Sequence, residues 1–175
     1  INPMLKVDQH PLPNAQDLFA TLAGGKWFSK LDLSHAYQQL ELDDASKKYL
    51  TINTSQGLYQ YHRLTFGIAS APAIFQSVMD KVLQGLGHVV WFLDDILIAT
   101  SSVEEHLEVL NEVLSRLEKF GIGLKREKCK FLEQRVEHLG HCVDSQGLHP
   151  TDEKVTAIIQ APRPSNVSEL RSYLG

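Results

Sequence analysis

With 175 residues and 43% hydrophobic content, the chain can bury one core of ordinary domain size. Its net charge of −4 excludes a protein that holds nucleic acid by bulk positive field. There is no basic, apolar leader and no apolar run of about 18 residues, so no membrane partner is expected.

The charge is uneven. Residues 118–135 (EKFGIGLKREKCKFLEQR) hold six Lys/Arg against three Glu, so the acidic average leaves room for a locally basic nucleic-acid path. Cys129 and Cys142 make no disulfide framework and suit a reducing compartment. The chain opens INPMLKV without Met and stops at SYLG inside an apolar helix pattern, which reads as a piece of a longer polyprotein.

Residues 1–15 carry three prolines and read as an extended arm, and 17–22 as a short helix stopped by Gly24-Gly25. WFSKLDL (27–33) predicts a strand, with Ser34 as the N-cap of a helix over HAYQQL. YLTINT and LYQYHRL, joined by Ser-Gln-Gly, predict a hairpin. Ser70-Ala71-Pro72 opens a helix with Ile74, Phe75, Val78, Met79, Val82 and Leu83 at helical spacing, closed by Gly85 and Gly87.

VVWFL and ILIAT predict two short strands with Asp94-Asp95 as their tight turn. Glu104 to Phe120 is amphipathic, with Leu107, Leu110, Val113, Leu114, Leu117 and Phe120 on one stripe and Gly121 as the cap. KFLEQRVEHLGHCVD predicts one or two strands. Thr151 with Asp152 and Glu153 starts a helix ending before Pro162, and Ser165 or Asn166 caps another. The order predicts an α+β fold, an antiparallel sheet carrying helices on one side.

Two carboxylates between apolar runs are costly to bury unless paired, protonated or bound to metal. Asp32 ends a strand between Leu31 and Leu33, and if the two strands are neighbours, Asp32 and Asp94 converge. Converging carboxylates make an all-oxygen site suited to Mg²⁺ or Mn²⁺. Two such ions ~3.5–4 Å apart would serve phosphoryl transfer. The bland reading is turn chemistry, which Asp43-Asp44 in LELDDASKK illustrates as a solvated loop. Cys129, His138, His141 and Cys142 offer four zinc donors, but their spacing is irregular, and His141 and Cys142 would point to opposite faces of a strand.

KLDLSHAYQQL, RLTFGIASAPAIFQSVMD, FLDDILIAT, GIGLKREKCKF and VEHLGH resemble, in order and spacing, the successive motifs of a reverse transcriptase of gypsy-type long-terminal-repeat retrotransposons. The resemblance spans essentially the whole chain. It implies an RNA-directed DNA polymerase that adds dNTPs to a primer 3′-hydroxyl on an RNA or DNA template, with two Mg²⁺ ions (or Mn²⁺) on Asp32, Asp94 and Asp95. It places Leu33, Ser34, His35 and Ala36 near the incoming triphosphate and makes Tyr37 a steric gate against the ribose 2′-hydroxyl. Phe66 and Gly67 would contact the nucleotide and template base, Lys128 would protonate the leaving pyrophosphate, and Leu139, Gly140 and His141 would form the primer grip. FLDD has Phe92 where the family's box has Tyr, one hydrogen bond fewer and ~0.5–1.5 kcal/mol, which implies weakened rather than abolished activity.

The implied fold is a palm with a ferredoxin-like core. Residues 1–40 would open the palm, 41–70 form part of the fingers, 71–148 complete the palm with the FLDD hairpin and primer grip, and 149–175 begin the thumb or connection. The rest of the fingers and thumb, RNase H and integrase would lie in the full polyprotein. Its place would be intracellular, cytoplasmic in a virus-like particle or nuclear. A competing reading is a catalytically inactive retroelement remnant that binds nucleic acid or a protein partner.

Overall fold

The computed structural model describes residues 10, 13, 20–22, 24–161 and 164–174. The extended arm expected over 1–15 and the helix expected at 17–22 lie largely outside these residues, as does Pro162.

The centre is a four-stranded antiparallel sheet in the order β4-β5-β1-β6, built from β1 (Trp27–Asp32), β4 (Val89–Phe92), β5 (Asp95–Thr100) and β6 (Lys130–Glu133). β1 pairs with β5 from Trp27↔Thr100 to Asp32↔Asp95. Alternation along β1 sends Leu31 and Leu33 to one face and Phe28 to the other.

Two helices cover the first face, α2 (Ala71–Leu83) and α3 (Val103–Lys119). Phe75, Met79, Val82 and Leu83 of α2 and Val113 and Leu117 of α3 meet Leu31, Ile96 and Ile98 there. Each such side chain contributes about 1.5–3 kcal/mol when fully buried. On the second face Phe28, Val90, Leu97 and Ala99 pack on Val136 and Val143, from a three-stranded sheet of β7 (Arg135–His138), β8 (His141–Asp144) and β9 (Gly147–Pro150). The α+β class with antiparallel sheets is therefore what the chain adopts.

A separate hairpin, β2 (Thr51–Thr54) and β3 (Gly57–Gln60), stands exposed along its length, preceded by a single helical turn, α1 (Asp44–Lys47). Two terminal helices follow β9: α4 (Asp152–Gln160), capped by the Thr151 hydroxyl, and α5 (Val167–Leu174), whose Glu169 N–H is capped by Asn166.

Several local expectations are corrected. HAYQQL forms a short 3-10 helix, Ala36–Gln39, not an α-helix, and His35 rather than Ser34 occupies its N-cap. The Ser34 N–H is instead drawn to the Gly123 carbonyl (3.1 Å), and Gln39 bonds back to Ser34 and Gly123, which fixes the tight turn. KFLEQRVEHLGHCVD supplies three strands, and they belong to two sheets. Leu107 of α3 and Phe120, its C-cap, are more than half exposed, and His106 is buried in the stripe instead.

His106 ties α3 to the sheet. Its Nε2 lies 2.7 Å from Ser29 Oγ and its Nδ1 2.8 Å from Thr100 Oγ1. Thr100 gives its proton to the Ser102 carbonyl, so it accepts from Nδ1–H; Ser29 then donates to Nε2 while accepting from the Leu132 N–H. Burial holds the imidazole pKa below its usual value, in keeping with a neutral ring. His106→Ala is expected to cost roughly 2–4 kcal/mol, as two buried hydroxyls lose a partner and a cavity opens. Urea unfolding measures this; a loss under about 0.5 kcal/mol would show that the chain of bonds is incidental.

Candidate active site

The β4–β5 hairpin turns on Leu93 and Asp94, so Asp95 is the first residue of β5 and not part of the turn. Leu93 takes φ 53°, a left-handed conformation that costs an ordinary residue on the order of 1 kcal/mol. Helix α2 holds it there. The Leu93 N–H donates to Gln76 Oε1 (3.0 Å), and Gln76 is 1% exposed. The Gln76 amide is set by Asp80, whose Oδ1 accepts from Gln76 Nε2 (3.0 Å) and Trp91 Nε1 (2.6 Å), with His10 Nε2 on Oδ2.

The turn is also tied to β1. The Leu33 N–H donates to the Asp94 carbonyl at 2.8 Å, and the Lys125 N–H to the Asp32 carbonyl at 2.8 Å. These bonds bring three distant segments around one cleft of about 260 Å³. It is lined by Asp32, Leu33, His35, Ala36, Tyr37, Phe66, Asp94, Lys125 and Lys128.

Asp94 is exposed at the rim, while the Asp32 side chain is 15% exposed and meets Lys128 Nζ at 3.4 Å. Tyr37 stands edge-on to both Phe66 (5.4 Å) and Phe75 (5.7 Å). Burial and then the Asp94 charge push its phenol pKa up, so the hydroxyl keeps its proton. Phe66 is 62% exposed, and Gly67 has φ 85°.

Asp95 does not line the cleft. Its Oδ2 lies 3.1 Å from Lys30 Nζ and 3.7 Å from Nδ1 of His138, which has no exposed side-chain surface. Burial, with the nearby Lys30 charge, lowers the His138 pKa to about 4. The ring is therefore neutral at pH 7, and Lys30 is the cation that faces Asp95.

His138 ends β7, where Leu139 (φ 48°) and Gly140 (φ 70°) form a two-residue turn with both residues left-handed, the type I′ geometry. A Cβ on Gly140 would also approach Lys154 Nζ at 3.0 Å. His141 opens β8, with Nδ1 3.0 Å from the Leu139 carbonyl. This hairpin lies on the second face of the central sheet, not in the cleft. Ser34 lies beside the cleft lining, bonded to Gly123. Phe92 is half-buried among the apolar groups of the second face.

Among the described residues, no three His, Cys, Asp or Glu side chains converge on one metal position. The four zinc donors are dispersed accordingly: Cys129 Sγ faces the Asp32 N–H, Cys142 Sγ accepts from Arg135, and His138 faces Asp95. What gathers in the cleft is two carboxylates. That donor set fits Mg²⁺ or Mn²⁺, since Mg²⁺ is commonly held by one or two carboxylates with substrate phosphates and water. The Asp43-Asp44 pair is different in kind. Asp43 caps α1 through Ser46 and Asp44 pairs with Lys47, both at the surface.

Lys30, Gln76, Asp80 and His138 are parts of the site that the sequence does not announce. Lys30, Gln76 and His138 each act on a residue distant in the chain, and Asp80 acts through Gln76, one helical turn before it.

A family model described as reverse transcriptase (RNA-dependent DNA polymerase) matches residues 1–143. An uncharacterized protein of Caenorhabditis elegans is 42% identical over 175 residues, all of this chain and 14% of that protein. The retrovirus-related Pol polyprotein from transposon 297 of Drosophila melanogaster is 34% identical over 177 residues, all of this chain and 17% of that protein. The chain thus spans less than a fifth of the length of these relatives. The foamy viral protease-reverse transcriptase in complex with double-stranded DNA has the same fold, with TM-score 0.90 and 24% identity over 99% of this chain and 31% of that one. Its complex with an RNA/DNA hybrid gives TM-score 0.86 at 24% identity, over 99% of this chain and 24% of that one.

The buried His138 generates a pH prediction. Its folded-state pKa lies below the unfolded value of about 6.5, so its contribution to stability is complete above that pH. It is lost as pH falls from there toward about 4. Urea unfolding across this window is expected to show a loss of roughly 3 kcal/mol that His138→Phe largely removes; an unchanged slope in the variant would place the titration elsewhere.

Proposed function

The chain belongs to the reverse transcriptase family, and we propose that its cleft is a nucleotidyl-transfer site that extends a primer 3′-hydroxyl with dNTPs on an RNA or DNA template. The observation that carries this reading is the meeting of Asp32, at the end of β1, and Asp94, in the β4–β5 turn, in one cleft with Tyr37 and Lys128. The α+β fold is palm-like and shared with the foamy viral enzyme.

Family membership implies divalent-metal dependence in general. In this reading Asp32 and Asp94 would hold Mg²⁺, with Mn²⁺ as a substitute for either of two ions, and Asp95 would play the more supporting part. When bound, such ions offset phosphate charge and favour the attacking oxygen over its protonated form.

The protein's own groups do the rest. The backbone of Leu33 to Ala36 borders the space for the triphosphate. Tyr37, wedged between Phe66 and Phe75, forms a wall where a 2′-hydroxyl would project. Phe66 offers an exposed ring toward a template base, and beside it Gly67 carries no Cβ to obstruct the approach. Lys128, 57% exposed beside Asp32, can turn to give a proton to departing pyrophosphate. The Leu139-Gly140-His141 turn would hold the primer end, and Phe92 offers it no hydroxyl.

This reading divides the chain into palm (1–40 and 71–148), partial fingers (41–70) and the start of a thumb or connection (149–175). Template-primer would be the partner, with further polyprotein domains supplying the remaining grip.

Primer extension tests it, with the chain carried in a polyprotein frame such as that of the Drosophila relative. Asp32→Asn and Asp94→Asn are each expected to slow extension by on the order of 10³-fold, the scale of several kcal/mol of charge stabilisation. Asp43→Asn should have no effect. Unchanged extension in both cleft variants would contradict the assignment. Tyr37→Ala is expected to raise ribonucleotide use relative to dNTPs by more than about tenfold, and an unchanged ratio would remove Tyr37 as the gate.

A further inference from the structure

Asp95 is next to a residue of the cleft yet takes no part in lining it, and the reason lies on β1. Lys30 and Asp32 are two residues apart on one strand and so share its face. Asp95 is in register with Asp32, which makes Lys30 its diagonal neighbour across the ladder. The ammonium reaches Asp95 Oδ2 at 3.1 Å, with both side chains about three-quarters buried. His138 closes the same oxygen from the second sheet at 3.7 Å. Asp32 has its own lysine, Lys128, but that one is 57% exposed and free to leave. Lys30 is held within the sheet and is not.

We propose that Lys30 is a positioning residue for the candidate metal site: its ammonium is the resident counter-ion of Asp95 and keeps that carboxylate off the cleft until a divalent cation competes for it. This rests on the reading of Asp32 and Asp94 as metal-holding groups. Asp32 and Asp94 then form the standing site, and recruiting Asp95 requires its carboxylate to give up Lys30. The lysine thereby sets how much free cation is needed to occupy the second position. It also keeps two register-paired carboxylates apart in charge while the cleft is empty.

The test is Mn²⁺ binding to the full chain, read by the loss of the free-ion electron paramagnetic resonance signal. Lys30→Met is expected to tighten binding by roughly tenfold, because Asp95 then has no resident cation to give up before it reaches the ion. That gain should vanish when Asp95→Asn is present, so that Lys30→Met with Asp95→Asn binds within about twofold of Asp95→Asn alone. Lys30→Arg, which keeps the charge, should bind as the unsubstituted chain does. Circular dichroism confirms that each variant is folded; if Lys30→Met is not, Lys30→Gln takes its place in the cycle.

Affinity unchanged in Lys30→Met, or tightened equally with Asp95→Asn present, would overturn the proposal while leaving the Asp32–Asp94 site intact. Binding that does not depend on Asp32 or Asp94 at all would overturn that site, and the proposal with it.

Discussion

The register of β1 against β5 is the constraint on which the rest of the molecule depends. It ends with Asp32 opposite Asp95, and the next amide, Leu33 N–H, reaches the Asp94 carbonyl. Because side chains alternate along a strand, a slip of one residue would exchange the two faces of β1. Leu31 and Leu33 would leave the core beneath α2 and α3, and Lys30 and Asp32 would enter it. The apolar pattern that makes the core therefore also aims the carboxylates, and neither can change alone.

Around that register the backbone adopts costly conformations where the site needs them. Of the five non-glycine residues at positive φ among the described residues, His35, Leu93 and Leu139 lie beside the cleft or in the turn behind Asp95, while His88 and Leu132 lie elsewhere. Surrounding bonds offset the cost. Gln76 and Asp80 hold Leu93, Gln39 and Gly123 brace the turn before His35, and the β7–β8 ladder holds Leu139. A substitution at Asp80, which touches no ligand, can thus reach Asp94 through one amide and one backbone N–H.

The sequence made the α+β class readable because helical and strand periodicities are local. The apolar run of α2 and the WFSKLDL strand are each visible within a dozen residues. What escaped it was set by distant partners. Gly123 and Gln39 compress HAYQQL into a 3-10 helix. The buried imidazole of His106 is fixed by Ser29 and Thr100, on two other elements. VVWFL reads as a strand through Leu93 because nothing about a leucine announces a left-handed turn; Gln76 makes it one. At the site, Asp32 and Asp94 stood out as charges ending apolar strands, whereas the pairing of Asp95 with Lys30 rather than with them is a property of the ladder.

Whether Asp32 and Asp94 define one cation site is tested most directly by Mn²⁺ titration of the isotope-labelled chain followed by amide NMR. Paramagnetic broadening is expected first at Asp32 to Ala36 and at Leu93 and Asp94, at Mn²⁺ levels that leave Asp43 and Asp44 sharp. Broadening that begins at Asp43-Asp44, or spreads evenly over the acidic surface, would show that the two aspartates meet without making a site.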